Sequence, residues 1–94
     1  MKKKIAILGS TGSIGKSLLE IIKKDKNNFE VVLLTANKNY KELIKQSKIF
    51  NVKNLIITDY KNYKKIKNKN YKINIYNNFN NLNKIFNFFV IFII

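Results

Sequence analysis

The chain has 94 residues and lacks cysteine, histidine, tryptophan and proline, and its 19 basic residues are all lysine. No disulfide framework or thiol nucleophile is available without cysteine. Without histidine there is no imidazole base, and the usual zinc sites are excluded as well. Acids are scarce: Glu20, Asp25, Glu30, Glu42 and Asp59 are all 5 of them, which leaves a net charge of +14. Any chemistry must rest on backbone, hydroxyl, amide and lysine groups and these few carboxylates. No catalytic residue and no metal ligand is assigned in the chain. The length makes one small domain, which buries only somewhat over ~60% of its unfolded surface and therefore has a thin core.

Clustered lysines release counterions from phosphates, so so basic a chain first suggests a nucleic acid or an anionic membrane. The composition argues against selection for a basic face. Sixteen asparagines and sixteen isoleucines accompany the lysines, a joint rise that looks like A/T-rich codon bias. Arginine, the side chain best suited to bidentate phosphate and guanine contacts, is missing. A membrane reading is also poorly supported on length. Ile5 to Leu8 is too short for a signal-peptide core, and the run from Phe88 to Ile94 falls far below the ~20 residues a bilayer needs. Both runs read as buried strands. No transit segment precedes Met1-Lys2-Lys3, and the expected location is the cytoplasm.

Lys4 to Leu8 is a short apolar run stopped by Gly9, as a strand buried on both faces would be. Ile14, Leu18 and Ile22 then recur every four residues, with Leu19 and Ile21 beside them, and predict a helix over 13–24. Phe29 to Thr35 is the next strand. Leu43, Ile44, Ser47 and Phe50 trace one face of a helix over 40–50, and Leu55 to Thr58 is a third strand. Alternating strands and helices specify an α/β fold: a Rossmann-like parallel sheet with helices on both faces. Residues 61–94 differ, with seven lysines, ten asparagines and no acid, a low-complexity drift. Within it Tyr71, Ile73 and Ile75 alternate as a strand, Phe79, Leu82 and Phe86 keep helical spacing, and the last apolar run predicts a final strand.

The turn Gly9-Ser10-Thr11-Gly12-Ser13-Ile14-Gly15 leaves a strand and opens a helix, the context in which a glycine motif counts as a dinucleotide fingerprint. Its spacing is G-x-x-G-x-x-G, a variant of G-x-G-x-x-G. Gly9 can take the tight turn, Gly12 lets the backbone approach a pyrophosphate, and Gly15 lets the helix pack closely. The helix N-terminus would then face the phosphates, with Thr11 and Ser13 adding hydroxyls. Gly15-Lys16-Ser17 also supplies the end of a P-loop, but that motif needs glycine at Ser10, and the available Gly9 is one residue too far. A phosphotransferase is the runner-up. About twenty residues beyond the glycines, where an NAD site carries an acid, stand Thr35-Ala36-Asn37-Lys38-Asn39. A carboxylate would repel a 2′-phosphate, whereas Lys38 with the amides of Asn37 and Asn39 attracts it, which favours NADP over NAD.

Lys3 to Gly15 (KKIAILGSTGSIG), Ser17 to Ile22, Phe29 to Val32 and Thr35 to Asn39 together closely resemble the start of 1-deoxy-D-xylulose 5-phosphate reductoisomerase. The likeness is carried by residues 1–59 and is weaker over 60–94. It implies that residues 1–94 are an NADP-binding Rossmann-like domain, incomplete relative to the full enzyme. By that resemblance Thr11, Gly12, Ser13 and Ile14 contact the NADPH phosphates, and Asn37, Lys38 and Asn39 hold the adenosine end. Asn37 stands where the family often has glycine, and asparagine is expected to tolerate a left-handed backbone there. The family's enzyme isomerises and reduces a phosphorylated sugar in non-mevalonate isoprenoid biosynthesis, using NADPH and a divalent metal, Mg or Mn. Its family members are several times longer, and a homodimer is expected of the full enzyme. The alternative reading is a degenerate non-catalytic fragment that binds anions or nucleic acid through its lysines.

Overall fold

The computed structural model describes residues 2–67, 69, 72–80, 82 and 91–93. Five strands, β1 (Lys3–Ile7), β2 (Phe29–Ala36), β3 (Asn54–Ile57), β4 (Asn74–Tyr76) and β5 (Ile91–Ile93), form one sheet in the order β4-β3-β2-β1-β5. Every pairing is parallel. The helices are α1 (Ser13–Lys23), α2 (Tyr40–Phe50) and α3 (Tyr60–Lys67).

Parallel neighbours need crossover connections, and right-handed crossovers that step the same way across a sheet leave their helices on the same face. The steps from β1 to β4 all run one way. Accordingly Leu19 and Ile22 of α1, Leu43 and Ile44 of α2 and Ile66 of α3 share one core with Ile5, Ile7, Val31, Leu34, Leu55 and Ile57. The chain then returns past β1 to place β5 on its other side. On the second face Ala6, Leu33 and Ile56 pack against Leu8, Tyr76 and Leu82, and Leu82 is helical.

Strand β2 carries a local irregularity that explains its continuous apolar run. Ile5 pairs with Val31 but Ala6 pairs with Leu33, so Val32 is an extra residue. The bulge lets Val31 and Leu34 both face the helices while Leu33 faces away.

Two expectations are corrected. The buried stripe of α1 is Gly15, Leu19 and Ile22, whereas Ile14 is 75% and Ile21 63% exposed. The close approach of the helix at Gly15 sets which face turns inward. Helix α3 was hidden in the low-complexity drift, because only Ile66 is fully buried and four of its eight residues are lysine. Its start was nonetheless encoded, since Asp59 accepts hydrogen bonds from the Asn62 N–H at 3.1 Å and from Asn62 Nδ2 at 2.6 Å, as an N-cap does. The two late strands lie at β4 and β5, with Ile73 in the bend just before β4; Leu82 is helical as its spacing predicts, whereas Phe79 lies in a bend. Tyr71, Phe86, Phe88, Phe89, Val90 and Ile94, also named in those expectations, lie outside the described residues.

Candidate functional site

Strands β1 and β5 mark the point where the strand order reverses, and open α/β sheets bind ligands outside the carboxyl ends of strands at such a point. The glycine turn leaves β1 there. The loop Asn37-Lys38-Asn39 leaves the neighbouring β2 at the same edge.

The three glycines do different work. Gly9 has φ +74°, a left-handed conformation that disfavours any side chain. At Gly15 an added Cβ would lie 2.6 Å from Ser10 Cα and 2.7 Å from the Gly9 carbonyl oxygen, so the fold itself forbids one. Gly12 is different. Its backbone is ordinary, with φ −78° and ψ 174°, and an added Cβ would meet only the Gly9 oxygen at 3.5 Å. Nothing among the described residues requires glycine at 12, and its exposed face is open to a ligand.

Gly12 also caps α1 without a side chain, and the first turn holds no acid. The N–H groups of Ser13, Ile14 and Gly15 are thus left without an intrahelical partner, a ready anion-binding end. The other two helices begin differently. The Asn39 side chain accepts from the Glu42 N–H at 3.3 Å to cap α2, and Asp59 caps α3. Thr11 is half-buried and Ser13 and Ile14 are exposed, all at this same open turn.

Residues that the motifs did not reveal hold the turn in place. The Gly9 N–H donates to Thr35 Oγ1 at 3.0 Å and the Ser10 N–H to the Thr35 carbonyl at 2.9 Å. From α2, the buried Gln46 accepts from Ser10 Oγ at 2.7 Å and donates through Nε2 to the Ser10 carbonyl at 3.0 Å. The same Nε2 lies 3.3 Å from Glu42 Oε2. A chain of hydrogen bonds therefore runs from the glycine turn through Gln46 and Glu42 to Asn39. The available signal for Gln46 was its place one helical turn beyond Leu43, a polar residue on the inward stripe.

In the second loop Asn37, Lys38 and Asn39 are all exposed. Asn37 has no left-handed backbone: among the described residues Asn51 is the non-glycine with positive φ. The loop needs no glycine at 37. Asp59, between β3 and α3, is held below the ordinary carboxylate range chiefly by the Asn62 backbone N–H, then by the Asn62 side chain, with smaller help from Lys38 and Lys61 against partial desolvation. Lys38 is therefore within electrostatic reach of Asp59, yet makes no ion pair among the described residues.

This geometry fits the phosphates of a dinucleotide at the α1 end and a further anion beside Lys38. Residues 5–87 match the family described as 1-deoxy-D-xylulose 5-phosphate reductoisomerase. The reductoisomerase of Pelagibacter ubique (strain HTCC1062) is 63% identical over 78 residues, which cover 81% of this chain and 20% of that protein. Among solved structures, the reductoisomerase from Zymomonas mobilis in complex with NADPH superposes with a TM-score of 0.74 at 32% identity, covering 81% of this chain and 21% of that one. A DOX-P reductoisomerase in complex with NADPH, fosmidomycin and magnesium gives 0.68 at 28% identity, over 79% of this chain and 19% of the other. The chain spans about a fifth of the length of the relatives it matches. A family match across most of the sequence, a close relative and a shared sheet agree, and the chain belongs to the 1-deoxy-D-xylulose 5-phosphate reductoisomerase family.

Proposed function

We propose that this chain is the NADPH-binding portion of a 1-deoxy-D-xylulose 5-phosphate reductoisomerase, an NADP-dependent oxidoreductase and isomerase of isoprenoid biosynthesis. The observation that carries the proposal is the open end of α1, the helix capped by a glycine rather than by a side chain. The N–H groups of Ser13 and Ile14 and the hydroxyls of Thr11 and Ser13 bind the pyrophosphate, and Gly12 lets it approach the backbone. Lys38 and the amides of Asn37 and Asn39 hold the 2′-phosphate. Bound there, the dinucleotide supplies the hydride for the reduction.

On its own the chain binds nucleotide without turning over substrate. We assign it no catalytic residue and no metal ligand; magnesium and a phosphorylated sugar belong to the activity of the complete enzyme, as does the homodimer. None of the described helices is long and apolar enough to cross a membrane, and we place the protein in the cytoplasm.

Titration of the chain with NADPH and with NADH at two salt concentrations tests the reading. Saturable binding that prefers NADPH at both salts supports it, and Gly12→Val is expected to abolish that binding. Binding that disappears with salt and ignores the nucleotide's identity points instead to non-specific attraction by the lysines.

A further inference from the structure

The two residues that follow β3 make three hydrogen bonds to the end of β2 and the start of the second loop, two of them to Asn37. The Thr58 N–H donates to the Ala36 carbonyl at 3.1 Å and the Asp59 N–H to the Asn37 carbonyl at 3.0 Å. The third contact joins side chains: Thr58 Oγ1 donates to Asn37 Oδ1 at 2.8 Å. An asparagine amide can present either its oxygen or its NH2 group to a ligand. A phosphate needs the donor. When Nδ2 turns outward, Oδ1 turns toward β3, and the partner it then needs is itself a donor. The Thr58 hydroxyl is that donor.

The neighbouring groups are free to join the same anion. Asn37 Nδ2 has no acceptor among the described residues, and Lys38 beside it makes no ion pair there. The nearby acid is already engaged, since both contacts of the Asp59 carboxylate go to Asn62 at the start of α3.

We propose that Thr58 is a positioning residue for the 2′-phosphate: by holding Oδ1 of Asn37 it keeps the Asn37 NH2 outward next to Lys38, and so sets the preference for NADPH over NADH. The inference rests on the reading that this chain binds NADPH. Nothing in the sequence pattern marks Thr58, which lies twenty-one positions from Asn37 and is brought to it only by the pairing of β2 with β3.

The experiment is a comparison of NADPH and NADH dissociation constants for the wild-type chain, Thr58→Val and Thr58→Ser. Valine keeps the branched shape and removes the hydroxyl; serine keeps the hydroxyl. Thr58→Val is expected to weaken NADPH binding about three- to tenfold, the size of one ordinary hydrogen bond between neutral groups. NADH binding stays within twofold, and Thr58→Ser restores the wild-type ratio. A general loosening of the loop would weaken both nucleotides alike, and that outcome overturns the inference. So does an unchanged ratio in Thr58→Val, or a serine variant that behaves like valine. A wild-type chain with no preference for NADPH overturns the parent reading and this inference with it.

Discussion

The first three strands with their two helices and the part of the molecule after Thr58 are built on different principles. Every fully buried hydrophobic residue among the described residues except Ile66 lies between Ile5 and Ile57. All of the acids lie at or before Asp59. In the earlier part apolar residues recur at the spacing their element requires, and the site-bearing loops are tied to one another through Thr35 and Gln46. The later part contributes α3 and two three-residue strands, each added to an edge of a sheet that already exists. A lysine- and asparagine-rich sequence can therefore be shaped by a neighbour that supplies most of the apolar surface, with Ile66 as its one fully buried anchor among the described residues.

The register pair Leu55 and Ile75 spans the two regions and offers the sharpest way to break that comparison. Leu55 is fully buried and Ile75 only half-buried. Leu55→Ala is expected to cost about 2–5 kcal/mol, and Ile75→Ala less than half as much, as measured by urea unfolding. Equal losses would show that the edge strand belongs to the same core.

Next in size is the contrast between two glycines. Gly15→Ala forces a Cβ into the backbone of Ser10, and about 1–3 kcal/mol of destabilisation is expected. Gly12→Ala meets ordinary contact, so the thermal midpoint should stay within a degree or two of wild type while NADPH binding weakens. A large stability loss at Gly12 would mean that its glycine serves the fold.

Gln46→Leu tests the link between the loops. It leaves the Ser10 hydroxyl and carbonyl without their buried partner, which costs about 1–3 kcal/mol, and NADPH affinity should fall with it. An unchanged affinity would show that the glycine turn holds its shape without α2.

The smallest effect concerns the cap of α3. The Asp59 carboxyl is held below its ordinary value of 3.8 in the folded chain. A depressed carboxyl contributes stability that is fully present above that ordinary value and is lost as pH falls through the lower folded one. Asp59→Asn keeps a capping side chain without the charge. The wild-type chain should lose its advantage over this variant as pH drops below 3.8 in paired unfolding curves. A difference independent of pH would assign the contact at Asp59 to geometry alone.

Much of this was legible in the residues themselves. The apolar runs and helical spacings up to Ile57 define β1, α1, β2, α2 and β3, because burying a strand or a helix face demands a fixed period of apolar side chains. The three glycines and Lys38 single out the candidate site, because phosphate approach and a 2′-anion would call for those residue types. Period and composition could not find α3, whose lysines are solvated and whose single buried anchor, Ile66, gives no period. Nor could they show the outward turn of Ile14, which follows from the closeness of Gly15 to Ser10.

The sequence by itself therefore determined the class of fold and the family, and it marked the glycine turn of the candidate site, since these depend on local pattern. Only the tertiary structure decided that Gln46 braces the glycine turn and that Thr58 grips Asn37. Those contacts join residues 36 and 21 positions apart, and parallel strand order, which no local pattern encodes, is what brings them within hydrogen-bond distance.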